Sequence, residues 1–304
     1  MKRISIGGRP VCRGRDRWSN LLTAGVMLAL SAATVHAEGP FQFREVTPAS
    51  LEVVENGKPV LVYNHGMVLR EGVDEKYRRS SYIHPVYAPD GTVVTDDFPK
   101  DHPHHRGICW SWPIVKFEGK THDVWAVVGM HQRFVRWMER RAGPATAELA
   151  VENGWFVGER KAVKETVKLT VHGAAGNRRD IDITLTFEAV DSPVEIAGRE
   201  IKGYGGFGVR FAPRTETVLR SDKGVEAKDS DMVQHPWAEL EATFSGRRAG
   251  LRIADGAGNP KYPNGWCLRH YGYVAVNYPG LETITLTPGK PLTLTYRVTV
   301  FSAT

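Results

Sequence analysis

Only 3 cysteines occur in these 304 residues, and Cys12 lies far ahead of the other two. That number cannot knit a small loop-rich fold together by disulfides. Cys109 and Cys267 are left to form one bridge or to stay as separate thiols. Long apolar runs are equally scarce, since nothing after Ala33 is long enough to cross a bilayer as a helix. Windows with apolar residues at helical spacing are few. The glycine-rich stretch 203–208 lacks a Walker lysine and opens no helical pattern, so it does not point to phosphate binding. No Gly-x-Ser-x-Gly elbow surrounds Ser111, which argues against a serine hydrolase.

An excess of positive charge is present on paper, at +6 with an isoelectric point near 9.2. Most of it belongs to the first 37 residues, which hold Lys2, Arg3, Arg9, Arg13, Arg15 and Arg17 against the single acid Asp16. That segment has the layout of a secretory signal peptide. A basic start is followed by an apolar stretch over 21–33 and by Val35-His36-Ala37 at the cleavage position. Cleavage after Ala37 leaves a body close to neutral, with no charge argument for nucleic acid. The expectation is an exported protein, periplasmic or extracellular, without a stable membrane span. Residues 38–304 would form a single β-sandwich domain.

Alternating or β-branched segments recur along that body, among them 51–54, 60–63, 124–128, 147–151, 163–171, 181–190, 251–254, 273–276 and 292–301. Turn signals such as Glu55-Asn56-Gly57, Pro89-Asp90-Gly91 and Gly176-Asn177 fall between them. The clearest period of two runs through Val167, Leu169 and Val171, and again through Ile181, Ile183, Leu185 and Phe187. These segments should be adjacent antiparallel strands joined over 173–179, with Lys168, Asp182 and Thr184 toward solvent. The pattern predicts an all-β antiparallel sandwich.

Chemistry concentrates in Asp101-His102-Pro103-His104-His105-Arg106-Gly107, which holds three of the 11 histidines. Imidazoles move protons or hold metals near neutral pH, and a neighbouring acid and guanidinium can orient them. His104 or His105 is the candidate acid/base, with Arg106 to steady charge on oxygen and Glu239 as a distant carboxylate. Trp110, Trp112, Trp266, Tyr204 and Tyr82 could offer ring faces to a pyranose. Arg210 and Arg269, set among apolar neighbours, are candidate buried binding charges. No cofactor is expected. A divalent metal on the histidines stays open as an alternative, although no further ligand stands at a diagnostic spacing.

The run from Tyr63-Asn64-His65-Gly66 through Tyr82-Ile83-His84-Pro85-Val86-Tyr87, Gly91 and Asp96-Asp97-Phe98 to His-Pro-His-His-Arg-Gly resembles the bacterial family labelled methane oxygenase PmoA. Asn259-Pro260, Pro263, Trp266 and 292–300 extend the likeness over nearly the whole body. The resemblance implies an exported β-rich domain of a galactose-mutarotase-like supersandwich kind, found among sugar-degradation functions. It does not imply methane oxidation, because a membrane monooxygenase subunit needs several spanning helices. The matched positions that could contact a ligand are His65, His84, Asp97, Asp101, His102, His104, His105 and Arg106. Taken together, the sequence suggests a carbohydrate-active protein with a small-molecule or oligosaccharide substrate, working by histidine acid/base chemistry of epimerase, lyase or glycosidase type. A noncatalytic glycan-binding domain and a metal-dependent enzyme are the alternatives.

Overall fold

The computed structural model describes residues 39–303, which lie within the compact unit Glu38–Thr304. The signal-peptide reading concerns residues 1–37 and lies outside the described residues. Two nine-stranded sheets and one four-stranded sheet make up the fold, every strand pairing is antiparallel, and the helical content among the described residues is the 3-10 turn Glu75–Tyr77. The chain is thus an all-β antiparallel sandwich. No helix among the described residues is long and apolar enough to cross a membrane.

The second nine-stranded sheet contains the hairpin with the clearest alternation. Arg160–His172 pairs with Arg178–Ala189, Val167 opposite Leu185 and Leu169 opposite Ile183, as the period of two requires. In the first sheet, Asn56 and Gly57 both take positive φ and join Ser50–Glu55 to Lys58–Asn64, the turn that Asn-Gly favours. The core lies between the two large sheets. Phe207 of the first stacks on Tyr296 of the second at 4.3 Å, and Trp112 meets Trp155 and Phe187 at 5.4 and 5.2 Å. Glu165 is fully buried there and accepts hydrogen bonds from Gln132, Asn153 and Trp155. Burial pushes its carboxyl up.

One expected strand is a turn instead. Residues 124–128 read as β-branched, yet the backbone reverses between a bridge at Asp123 and Val128. The Asp123 carboxylate accepts from Ala126 N at 2.7 Å, and the amides of Val124 and Trp125 both donate to Trp112 O. A local Asx-type turn has outcompeted strand propensity, and it carries Trp125 out over the first sheet.

Candidate functional site

Four neighbouring strands of the first sheet form a floor: Ile108–Ser111, Gly206–Arg210, Tyr273–Asn277 and Gly265–Arg269. Their registers align Trp110, Phe207, Val276 and Trp266 in one row, all fully buried in the core. The next row, Cys109, Gly208, Ala275 and Cys267, points the opposite way because side chains alternate along a strand. This second row consists of small residues. Beyond it, Arg210, Tyr273 and Arg269 stand side by side on the same face. A side chain at Gly208 would overlap the Tyr273 hydroxyl, so glycine is what lets that ring lie down across the floor.

The histidine run crosses this open face as a loop. His102 N donates to Pro99 O and His105 N to His102 O, which coils the segment and turns its three rings toward each other. Tyr271, His102 and His105 form a nearly parallel stack, with centroids 5.3 and 4.7 Å apart. His104 meets His105 edge-on at 4.6 Å, and His105 in turn leans on Tyr273 at 4.7 Å and on Trp125 at 5.6 Å. Tyr204 packs on Trp125 at 5.1 Å. These rings, with Lys202, Arg269 and Cys267, line a cleft of about 320 Å³.

Burial, reinforced by nearby positive charge, lowers His104 to about 4 and His105 further still. Both are neutral imidazoles at pH 7. Burial pushes Tyr271 and the Cys267 thiol up to about 12, and Tyr273 and Cys109 also upward. The hydroxyls are therefore protonated donors and the thiols are not nucleophiles. His104 is half-buried and its side chain has no hydrogen-bond partner among the described residues, while His105 Nδ1 is buried without one. The cleft thus offers acceptor nitrogens, hydroxyl donors and aromatic faces, a combination suited to a polar ligand with apolar C–H surface.

Of the residues singled out from sequence, His102, His104, His105, Tyr204 and Arg269 meet in this cleft. Asp101 sits at its rim, 2.9 Å from His102 Nδ1 and 2.8 Å from Arg210 Nη2. Arg106 lies behind it with a fully buried side chain. It stacks 3.5 Å from the Phe98 centroid, donates to the carbonyls of Pro103, His105 and Tyr77, and stands 3.3 Å from Asp97. The Arg106 guanidinium braces the loop, its Nη atoms held by the carbonyls and its Nε facing Asp97. Asp97 joins Tyr82 by a 3.0 Å hydrogen bond, and its burial, partly offset by Arg106, raises it to about 6. His84, lowered to about 4 by burial, contacts Thr95 Oγ1 at 3.0 Å in the same wall.

Other candidates fall elsewhere. Trp110, Trp112 and Trp266 point into the dry core, where the Trp112 and Trp266 indoles donate to Tyr278 O and His235 O, so they present no face to a sugar. Glu239 is on the second sheet, paired with Arg252 at 2.8 Å. His65 packs between Phe134 and Trp137. Cys109 and Cys267 are free, separated by two intervening strands, roughly 14 Å at ordinary strand spacing and beyond disulfide reach. Among the described residues no group of three or more His, Cys, Asp or Glu side chains is arranged to hold a metal ion.

Sequence reasoning missed Trp125, Lys202, Tyr271 and Tyr273. The dipeptide Tyr271-Gly272 between two strands was the available signal, since it marks a turn that lifts a ring over the strand ends.

A family model described as a family of unknown function, DUF6807, matches residues 50–304. The chain belongs to the DUF6807 family. This corrects the resemblance drawn from the histidine run: the matching family is not the one labelled methane oxygenase PmoA. No curated protein matches. Among solved structures, this DUF6807 member is similar to a heparinase III gene product, at 10% identity and TM-score 0.38 over 88% of this chain and 35% of that one. A human-microbiome protein described as a kojibiose phosphorylase gives 12% identity and 0.35, over 80% and 26%. A galactose mutarotase related enzyme from Lactobacillus acidophilus gives 7% and 0.37, over 87% and 97%. The chain spans about a third of the heparinase and a quarter of the phosphorylase.

Proposed function

We propose that the histidine cleft binds a saccharide and that His104 accepts a proton from it. The observation that carries this reading is His104 itself, a neutral imidazole, half-open and without a hydrogen-bond partner among the described residues, set among aromatic rings and protonated tyrosines. A neutral imidazole can accept a proton from a sugar hydroxyl or from an acidified ring C–H. The Tyr271 hydroxyl, 42% exposed at the residue level, can donate to the oxygen on which charge grows, and Lys202 adds a positive charge on the same wall. Trp125 and Tyr204 supply the apolar faces. Epimerase, lyase or glycosidase type chemistry is the class in view. No cofactor enters the reading. The leader-like segment 1–37 supports placing the protein outside the cytoplasm.

A noncatalytic glycan-binding role is the second reading, and a specific feature favours it. Among the described residues no carboxylate lines the cleft, and Asp101 at its rim and Asp231 beside Arg269 are both held by arginines. Turnover and binding measured together across a panel of neutral and charged oligosaccharides separate the two. With a catalytic His104, His104→Gln cuts turnover about 100-fold or more while binding persists. Binding without turnover in the unaltered protein selects the glycan-binding reading, and neither binding nor turnover sinks both.

A further inference from the structure

A second and larger cleft adjoins the first on the other side of Tyr271, with a volume of about 640 Å³. Tyr271 lines both. Three connections build most of it, the loop over 96–101, the loop following Gly206–Arg210, and the turn 270–272 between Gly265–Arg269 and Tyr273–Asn277, while Arg70 joins from the segment ahead of Glu75–Tyr77 and Thr217 from the strand Thr215–Ser221. Four positive side chains line it, Arg70, Lys100, Arg210 and Arg214, against two negative ones, Asp96 and Asp101. The balance is positive even before His270 is considered.

Two of these arginines are fixed in place, Arg210 by a carboxylate and Arg214 by backbone carbonyls alone. Arg210 is only 6% exposed, and its Nη2 reaches both oxygens of Asp101 at 2.8 and 2.9 Å. Its Nε and Nη1 are buried and have no hydrogen-bond partner, and among the described residues Nη1 is the one buried guanidinium terminal nitrogen left so. Arg214 is seated by the carbonyls of Ala212 and His270, both at 3.0 Å, with its Nε likewise unpartnered. Gly272, at φ +99, leaves the space that the Arg214 guanidinium occupies, and any Cβ there would overlap it. Burial and the like charge of Arg210 lower Arg214 to about 10, so the two guanidiniums repel one another across the cleft. Two guanidiniums lining one cleft, Arg214 among them with no carboxylate partner, supply the charge and planar shape that a planar or tetrahedral oxyanion needs.

We infer that this cleft is an anion subsite, taking the carboxylate or sulfate group of an acidic sugar unit whose neighbouring unit lies in the histidine cleft. The saccharide part of this inference rests on the function proposed above, whereas the anion site stands on Arg210, Arg214 and Lys100 alone. Carboxylate and sulfate share the chemistry that two guanidiniums recognise, and the ligand set below tells them apart.

Calorimetric titration of the full chain with uronic-acid oligosaccharides, sulfated neutral oligosaccharides and their uncharged counterparts of equal length tests it. At least one charged set should bind about tenfold more tightly than the uncharged one, and the preference should shrink as salt is raised. Arg214→Gln should remove about tenfold of the charged affinity and leave the uncharged affinity alone. Exposed Lys100→Gln, which disturbs no buried contact, should give a smaller loss of the same sign, and it serves if Arg214→Gln fails to fold. Equal affinity for charged and uncharged sets overturns the inference, as does no binding of either charged set, or a preference that survives these substitutions. His104→Gln run alongside keeps the two proposals apart. If turnover is unchanged in that variant while the arginine-dependent preference holds, the catalytic role fails and the anion subsite stands.

Discussion

The two faces of the four floor strands are built from alternate residues of the same segments, yet they do opposite work. On one side Trp110, Phe207, Val276 and Trp266 are large, fully buried and packed against the second sheet. On the other, Cys109, Gly208, Ala275 and Cys267 are small, and the volume they leave unfilled is where the aromatic and histidine side chains gather. A core requires bulk at every inward position, because empty volume forfeits dispersion contacts. A site requires the reverse beneath it. The contrast between the rows, more than the histidines alone, marks the face of this sheet on which the proposed site lies.

Removing bulk from the core row should have the largest effect. Trp110→Ala leaves a void between the large sheets, and truncations of this kind cost about 3–5 kcal/mol. Urea titration followed by tryptophan fluorescence should show the midpoint falling sharply. A loss near zero would mean that the inward row is not the packed one. Adding bulk to the open row comes next. Gly208→Val forces the Tyr273 ring off the floor, and overpacking of this sort costs about 1–3 kcal/mol. The damage should also be local: ligand binding in the histidine cleft should be lost while the protein stays folded at room temperature. Retained binding would show that Tyr273 does not form the base of the cleft.

The open face should also make stability depend on pH. Unfolded histidines take up a proton near their ordinary value of 6.5, whereas folded His84 and His104 resist until about 4. Between those values the unfolded chain binds more protons, so stability is full above pH 6.5 and is lost as pH falls toward 4. Asp97, raised to about 6, works the other way, since its folded form takes a proton before its unfolded form does. Denaturant midpoints at pH 7 and pH 5 should differ in the direction the histidines set, and the difference should narrow in His104→Gln. An unchanged difference in that variant would place His104 in water rather than in the cleft wall.

Much of the sandwich was legible because burial on one side imposes a period of two, as the 166–171 and 181–187 segments show without help from anything distant. The cleft was legible only where chemistry was dense in the chain. His102, His104 and His105 stood out because they are adjacent, but Arg106, equally adjacent, folds backward to satisfy loop carbonyls, and no spacing rule distinguishes the two outcomes. The tryptophans were the harder case. Trp110 and Trp125 look alike in sequence, and what separates them is the parity of Trp110 in its strand and the Asp123 turn beneath Trp125. Tyr271 and Tyr273 reach the cleft through strand order, a property of the assembled sheet that a single segment does not carry.

The smallest expected effect tests the open row without disturbing it. Cys267 is 3% exposed beneath the cleft, among the rings of Trp125, Tyr204 and Tyr273, and burial keeps its thiol protonated at neutral pH. Cys267→Ala removes one sulfur from a position already next to open space, so it should cost only about 1 kcal/mol, well below Trp110→Ala in the opposite row. Alkylation with iodoacetamide at pH 7, followed by peptide mapping, should find Cys109 and Cys267 unmodified in the native protein and both modified after unfolding. Rapid native modification of Cys267 would mean that solvent reaches the floor and that the aromatic roof is open. Protection of both thiols, with the two truncations differing by several-fold, is what a sheet with one packed face and one sheltered, small-residue face requires.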